Sequence, residues 1–357
     1  MNKVLHIVHS DLGGASSVVF SLIKKKNMWK NSVLFTGPKL LSDYSQSIKD
    51  KKISLNYIKV KKYLNLFYVL VVFFKICRIK PDIIILHNYQ FLPVIIYKIF
   101  FNKKVIYVDH KPFNFKNFRD YTIIFFMIIF AKYIVTINYK NFFFFKKFCY
   151  FFSSKILLIK NGVNINEFFP KYKIYKKKYF LFGMASRLSK GKFHELIIDA
   201  MRNKNLKSNI ICHFAGDGEY KNILKEKVRK EKLEDKIFFL GTLNKKNYKK
   251  WLNKIDLYIQ CTKGEGMSIS VLESLSSGVP VLGSNVTGND EILEKEIFVG
   301  KLFDNSVASL VKNLNYFKSL NQRSIKKYKV NGRNYIKKYH NEKDMIKKYN
   351  DIITSLL

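Results

Sequence analysis

The chain has 357 residues, 48% of them hydrophobic, which is enough for about two domains with cores of their own and excludes a disordered or fibrous protein. Lys and Arg (65) exceed Asp and Glu (26) by 39, yet only seven of the 65 are Arg, and the excess splits evenly into +20 through residue 169 and +19 after it. No basic tail or block sets off a nucleic-acid-binding segment, and about half of the charge is read as compositional.

The N-terminal MNKVLHIVHS is broken by His6 and His9 before it could form a signal-peptide core, so Val4 to Val8 reads as a first strand. A turn over Ser10 to Ser17 follows, with Gly13 and Gly14. Three further apolar runs, Ile83 to Leu86, Val105 to Val108 and Ile134 to Ile137, alternate with longer helical segments, the pattern of a parallel sheet with crossover helices. The longest apolar stretches, Leu66 to Phe74 and Ile123 to Ala131, fall short of the roughly 18 to 20 residues that cross a bilayer, and no transmembrane helix is expected. A polar, Lys-rich stretch from Pro170 to Lys178 reads as a linker.

Beyond it, strands are expected at Tyr179 to Phe182, Ile210 to Phe214, Ile237 to Leu240, Leu257 to Ile259 and Val279 to Leu282, each followed by a glycine-bearing turn and helical periodicity. Thirteen of the 16 glycines lie between Gly162 and Gly332. Ile336, Tyr339, Met345, Ile346, Tyr349, Ile352 and Ile353 stand at helical spacing in Ile325 to Leu357, giving one or two closing helices. The division expected is 1–169, 170–330 and a helical segment 331–357 packing back across both. Cys77, Cys149, Cys212 and Cys261 lie far apart, without metal-ligand spacing.

In doubly wound domains ligands bind outside the carboxyl ends of the strands, so the strand-to-helix turns carry the search. In Thr262 to Glu273, Gly264 and Gly266 let backbone approach a ligand, and the following helix start offers N–H groups to a phosphate. Glu265 in this loop and Glu273 eight residues on are placed to accept hydroxyl hydrogen bonds, although a lone Glu near a helix start is explained by the macrodipole alone. In Phe182 to Lys192, Arg187 and Lys192 supply the two cations that a diphosphate leaving group needs without a metal. Most lysines here are solvated surface groups, which makes Arg187 the sharper candidate. Gly13 and Gly14 lack GxGxxG spacing and serve equally well as an ordinary tight turn. His110 follows one strand and His87 another, but a lone His is more often packed than catalytic. No HExxH, GxxxxGK[ST], GxSxG or Asp-x-Asp occurs, and metal-free handling of phosphate is the simplest inference.

These residues resemble the retaining glycosyltransferases of the family 4 type, whose architecture, GT-B, is two Rossmann-like domains facing a central cleft. The match runs over nearly the whole chain. Glu265 to Glu273 resembles the E-x7-E signature, followed by Gly278-Val279-Pro280-Val281. Lys160 to Asn164, Ser186-Arg187-Leu188 with Lys192, Ala215 to Gly218, Phe239 to Gly241, Gly13-Gly14-Ala15 and Asp109-His110 agree in order and spacing.

The resemblance implies a nucleotide-diphosphate sugar as donor, with no further cofactor and no metal. Arg187 and Lys192 would meet the diphosphate, Glu273 the ribose and Glu265 the transferred sugar. Gly216 and Gly218 would shape the base region, and the backbone of Gly266, Met267, Ser268 and Ile269 would serve sugar and phosphates. His110 would lie beside the reacting centre. Ser186 and Phe193 stand where the family usually has Gly, and Cys261-Thr262 where Pro-Ser is common, which bears on donor fit more than on reaction class.

The acceptor side is expected in the first domain, with a saccharide or lipid-linked saccharide as acceptor, as in bacterial surface polysaccharide assembly (lipopolysaccharide O-antigen or capsule). The basic, aromatic segments Lys61 to Lys80 and Phe113 to Phe152 suit an anionic membrane surface, placing the chain at the inner face of the cytoplasmic membrane, or else form core helices covered by lysine stems. Three rivals are a sugar-nucleotide epimerase, against which the signature argues, a basic nucleic-acid-binding protein, which only the charge favours, and a transferase-like binding partner without turnover, against which the intact Glu265, Glu273, Arg187 and Lys192 argue. No nucleic-acid partner is expected.

Overall fold

The computed structural model describes residues 1–9, 13–24, 28–37, 53–59, 65–87, 89–170 and 178–357. They form two compact units, one of 1–161 with 342–357 and one of 162–341.

In the first unit seven parallel strands, β1 (Lys3–Val8), β2 (Lys30–Phe35), β3 (Ile53–Tyr57), β4 (Ile83–Leu86), β5 (Lys104–Asp109), β6 (Tyr133–Thr136) and β7 (Ile156–Leu158), lie in the order β3-β2-β1-β4-β5-β6-β7. The helices are α1 (Gly14–Ile23), α2 (Leu66–Ile79), α3 (Phe91–Phe101), α4 (Phe118–Phe130) and α5 (Tyr139–Phe148). Covered on both faces, β1 reads as a near-continuous buried run. Leu5 and Ile7 join one core with Val72, Ile76, Ile84, Leu86 and Met127, while Val8 joins another with Val19, Phe20 and Phe35. Strand order reverses between β1 and β4, which puts the ligand-binding crevice of a doubly wound sheet at their carboxyl ends.

Helix boundaries follow local chemistry. Asn117 and Asp120 close a reciprocal capping box at the start of α4. Lys80 adopts the left-handed conformation that stops α2. Of the aromatic segments, Val72, Ile76, Ile123, Met127 and Phe145 are buried, as core helices require, whereas Phe118 and Phe151 are 88% and 94% exposed. Residues 61–64 of the first such segment lie outside the described residues.

The second unit repeats the plan with β8 (Phe180–Ala185), β9 (Ile210–Ala215), β10 (Ile237–Gly241), β11 (Leu257–Gln260), β12 (Val281–Ser284) and β13 (Lys301–Phe303) in the parallel order β10-β9-β8-β11-β12-β13. Its helices are α6 (His194–Arg202), α7 (Lys221–Lys230), α8 (Lys245–Leu252), α9 (Ile269–Ser276), α10 (Asp290–Leu293), α11 (Val307–Ser319) and α12 (Gln322–Tyr339). Here the order reverses between β8 and β11, the strands that precede the Arg187 and Glu265 turns.

The division differs from the expected 169/170 and 330/331. Residues 162–169 pack with the second unit: the Phe168 carbonyl accepts hydrogen bonds from Ser276 Oγ (2.7 Å) and Arg333 (3.0 Å), and Glu167 pairs with Lys245 (2.5 Å) and Lys249 (3.1 Å). Residues 171–177 of the expected linker lie outside the described residues. The closing helices are α12, in the second unit, and α13 (Glu342–Thr354), in the first, where it packs on α1. Ile336, Met345, Ile346, Tyr349 and Ile353 are buried as their spacing predicts, while Tyr339 is exposed. Among the described residues no helix is long and apolar enough to cross a membrane.

Candidate active site

In the second unit the turns after β8 and β9 are laced together. Ser186 N–H donates to the Ala215 carbonyl (3.0 Å) and Leu188 N–H to that of Asp217 (3.1 Å). A Cβ on Gly216, at φ 142°, would stand 2.0 Å from the Ser186 carbonyl oxygen, and one on Gly218 would stand 2.2 Å from that of Leu188. Both glycines are therefore required by the approach of two backbones. Arg187 rides on this seam, exposed, with its guanidinium free of ion pairs among the described residues. Phe193, after the short turn carrying Lys192, takes a left-handed φ of 44°, and its ring packs on the unit's core. A glycine would adopt that backbone freely.

Lys192 and Glu265, 73 positions apart, form an ion pair. Glu265 Oε1 also accepts from Gln260 Nε2 at 2.8 Å. Gln260, the last residue of β11, is buried, and Tyr258 Oη lies 3.0 Å from its Oε1, 2.8 Å from Ser270 Oγ and 3.1 Å from the Ala185 carbonyl. With one hydrogen, that hydroxyl donates to a single carbonyl-type oxygen while accepting from Ser270. Ser270 Oγ in turn meets Ser268 Oγ at 3.0 Å. A polar chain thus runs from Lys192 to the start of α9.

The loop bearing Glu265 is pinned on several sides. Lys263 N–H donates to the Gly191 carbonyl (3.0 Å), Thr262 N–H to Ser284 Oγ (3.0 Å) and Glu265 N–H to the Thr287 carbonyl (3.3 Å). Gly266, Met267 and Ser268 are buried and Ile269 is partly so; Ser268 makes no side-chain cap on α9. Helix-start N–H groups without a side-chain cap suit an anion.

Glu273, partly exposed on α9, faces Tyr248, and burial of its carboxyl raises its pKa to about 8 against the opposing pull of Tyr248 and Lys245. Burial raises the pKa of the Tyr258 phenol, against hydrogen bonds with Ser270 and the Ala185 carbonyl, and Glu265 and Glu273 add smaller upward pushes. Arg187, Lys192, Glu265 and Glu273 therefore share the turns and first helical residues at one end of this sheet. Tyr258 and Gln260 were not singled out by the sequence reading; a glutamine closing an otherwise apolar buried strand is the signal they offered.

In the first unit Gly13, at φ 118°, caps α1, whose first residue is Gly14; both are exposed, and 10–12 of their turn lie outside the described residues. A positive φ, rather than close approach, demands Gly13, since a Cβ there would meet nothing within 4 Å. Asp109 is buried and bonded to Lys116 (2.9 Å) and Asn141 (2.6 Å), which oppose the upward push of burial on its pKa. His110 follows it, and burial lowers its pKa to about 4, with Lys116 adding to the shift. Its Nε2 lies 3.0 Å from His87 Nδ1. Among the described residues no group of three or more His, Cys, Asp and Glu could hold a metal ion.

Residues 164–338, nearly the whole second unit, match the family of glycosyl transferases group 1. The chain is 28% identical over 141 residues to the O-antigen biosynthesis glycosyltransferase WclY of Escherichia coli, covering 38% of each chain. It is 29% identical over 210 residues to the UDP-Gal:alpha-D-GlcNAc-diphosphoundecaprenol alpha-1,3-galactosyltransferase of the same organism, covering 54% of each. Across these and Staphylococcus aureus CapJ, the chain spans only 27% to 54% of the relatives' length. Anabaena HepE, solved in complex with UDP-glucose, superposes with a TM-score of 0.83 over 99% of this chain and all of its own, at 17% identity. The fold is of the GT-B type, and the group 1 match falls on the second unit.

Proposed function

We propose that the chain is a retaining glycosyltransferase of the family 4 type, moving a hexose-type sugar from a nucleotide-diphosphate sugar to a lipid-linked saccharide in bacterial surface polysaccharide assembly. The observation that carries this reading is the Lys192–Glu265–Gln260 cluster at the switch point of the second sheet, beside exposed Arg187 and the start of α9. Support for a UDP-type donor comes from HepE, solved with UDP-glucose, and from the donor named for the galactosyltransferase relative. That relative's undecaprenol-diphosphate acceptor supports the lipid-linked class.

In this reading Arg187 and Lys192 stabilise the charge that develops on the departing diphosphate, together with helix-start N–H groups. The incoming anion competes for Lys192, which loosens the ion pair and frees Glu265 Oε1 to accept from a sugar hydroxyl. Gln260 keeps that carboxylate aimed meanwhile. Glu273, neutral near pH 7 with a pKa of about 8, both donates to and accepts from ribose hydroxyls. Retention follows a front-face route in which the leaving diphosphate assists removal of the acceptor proton, and His110 serves the acceptor half. The two cations suffice for the leaving group, so turnover proceeds in excess EDTA. Exposed aromatics of the first unit, Phe118 and Phe151 foremost, rest on an anionic membrane surface with lysines around them.

The test is a panel of nucleotide sugars read by thermal shift and donor hydrolysis. One donor should stabilise the protein, and Glu265→Gln should remove its hydrolysis. A panel in which no activated sugar binds overturns the reading. Co-sedimentation with anionic vesicles that persists in Phe118→Ser/Phe151→Ser would remove the membrane contact assigned to those two rings.

A further inference from the structure

Three imidazoles of the first unit form a row across three adjacent strands. His6 lies within β1, His87 directly follows β4 and His110 directly follows β5, and these strands are neighbours in the order β1-β4-β5. His6 Nδ1 lies 3.4 Å from His87 Nε2, and His87 Nδ1 lies 3.0 Å from His110 Nε2. The ring planes of successive pairs are inclined by only 20° and 28°. His6 and His87 are buried, at 1% and 7% exposure, and His110 is partly exposed.

Burial lowers the pKa of all three, to about 3 for His6, about 4 for His110 and well below the usual range for His87, so each ring is neutral at physiological pH. A neutral imidazole carries one N–H and one lone pair. Each nitrogen–nitrogen contact needs one of each. Only two arrangements satisfy both contacts. Either His6 Nδ1–H donates to His87 and His87 Nδ1–H to His110, leaving His110 as the Nδ1–H tautomer, or every donor is an Nε2–H and the sense reverses. All three rings therefore share one tautomer.

We propose that His6 and His87 are positioning residues that act as a unit to set the tautomer of His110, and with it whether His110 Nδ1 offers a proton or a lone pair to whatever it meets. In the first arrangement Nδ1 is a donor; in the second it is an acceptor, the form a base requires. Lys116, which faces His110, and Asp109, held by Lys116 and Asn141, bias the choice at one end, while His6 sits at the other. The use of this device in glycosyl transfer rests on the function proposed above; the coupling of tautomers does not.

The test is the imidazole nitrogen NMR spectrum of the full chain labelled with 15N-histidine. The wild type should show His6, His87 and His110 neutral at pH 7 and in the same tautomer, all Nδ1–H or all Nε2–H. His6→Phe, which touches neither His110 nor its contact, should shift the His110 tautomer ratio at least twofold, with the His194, His213 and His340 signals unmoved. His87→Phe should leave His6 and His110 with unrelated ratios. Mixed tautomers in the wild type, or a His110 ratio indifferent to both substitutions, overturns the proposal. The wild-type spectrum decides even where a variant does not fold. Shared tautomers without turnover of any nucleotide sugar would sink the transferase reading and spare the coupling; turnover with mixed tautomers would do the opposite.

Discussion

The two sheets share a plan and differ in what stands at their carboxyl edges. At the switch point of the first unit there are neutral imidazoles beside a buried Asp109–Lys116 pair, while that of the second has Arg187, the Lys192–Glu265 pair and turns that need glycine. Glycine usage, three before residue 162 and thirteen from Gly162 onward, anticipates this. A group that must be met by backbone amides and fixed charges requires close chain approach. A group that only donates or accepts a proton does not. One scaffold thus accommodates two kinds of chemistry through the residues just beyond its strands.

Four substitutions break or sharpen this contrast. The largest effect is expected for Arg187→Ala, which should lower turnover by roughly 10²–10³-fold, about 2.7–4 kcal/mol, with little change in folding because the side chain is exposed. Steady-state rates beside a urea melt check both halves. Gly216→Ala comes next: with φ 142° and a Cβ 2.0 Å from the Ser186 carbonyl oxygen, it should cost about 2–4 kcal/mol in stability and pull apart the turns that carry Arg187. An unchanged melt would mean that the seam is not tight.

Tyr258→Phe removes the hydroxyl that joins Gln260 to Ser270 and should cost about 1–2 kcal/mol of stability, with kcat falling more than KM rises if Glu265 loses its aim. The smallest effect is a pH dependence. Glu273 has a raised folded-state pKa, so the folded protein holds a proton that the unfolded chain has lost. Its contribution is full below the unfolded pKa of about 4.5 and declines as pH rises toward about 8. The melting temperature of the wild type should therefore fall relative to that of Glu273→Gln between pH 5 and 8. Parallel curves would contradict the buried-carboxyl assignment.

Much of this was legible in the sequence because parallel strands covered on both faces are short apolar runs closed by turn residues. β4, β5, β9 and β11 stood out on that ground. β2 did not, since it opens with Lys30, Asn31 and Ser32, nor did β3, an edge strand only half buried, nor β7 and β13, of three residues each. The residue types of the candidate site were legible through glycine-flanked turns and family resemblance. The Lys192–Glu265 contact was not, because nothing local marks a pair 73 positions apart. Gln260 and Tyr258 hid within an apolar strand, where a polar atom shows only once its partner is placed. The 161/162 division escaped notice because Phe168 looks like the end of one domain and is held by Ser276 and Arg333 of the other.

The last helix gives the architecture an asymmetry with practical weight. Val163 N–H donates to the His340 carbonyl at 2.8 Å, so the chain leaves the first unit and returns to it at adjoining points, and α13 then covers α1 with Met345, Ile346, Tyr349 and Ile353 buried. The second unit is one uninterrupted stretch, so a single pair of cuts separates it from the rest of the chain. A fragment stopped at residue 161 lacks a wall of its own interior; recovering it calls for a graft of the final sixteen residues or a rewired order of termini.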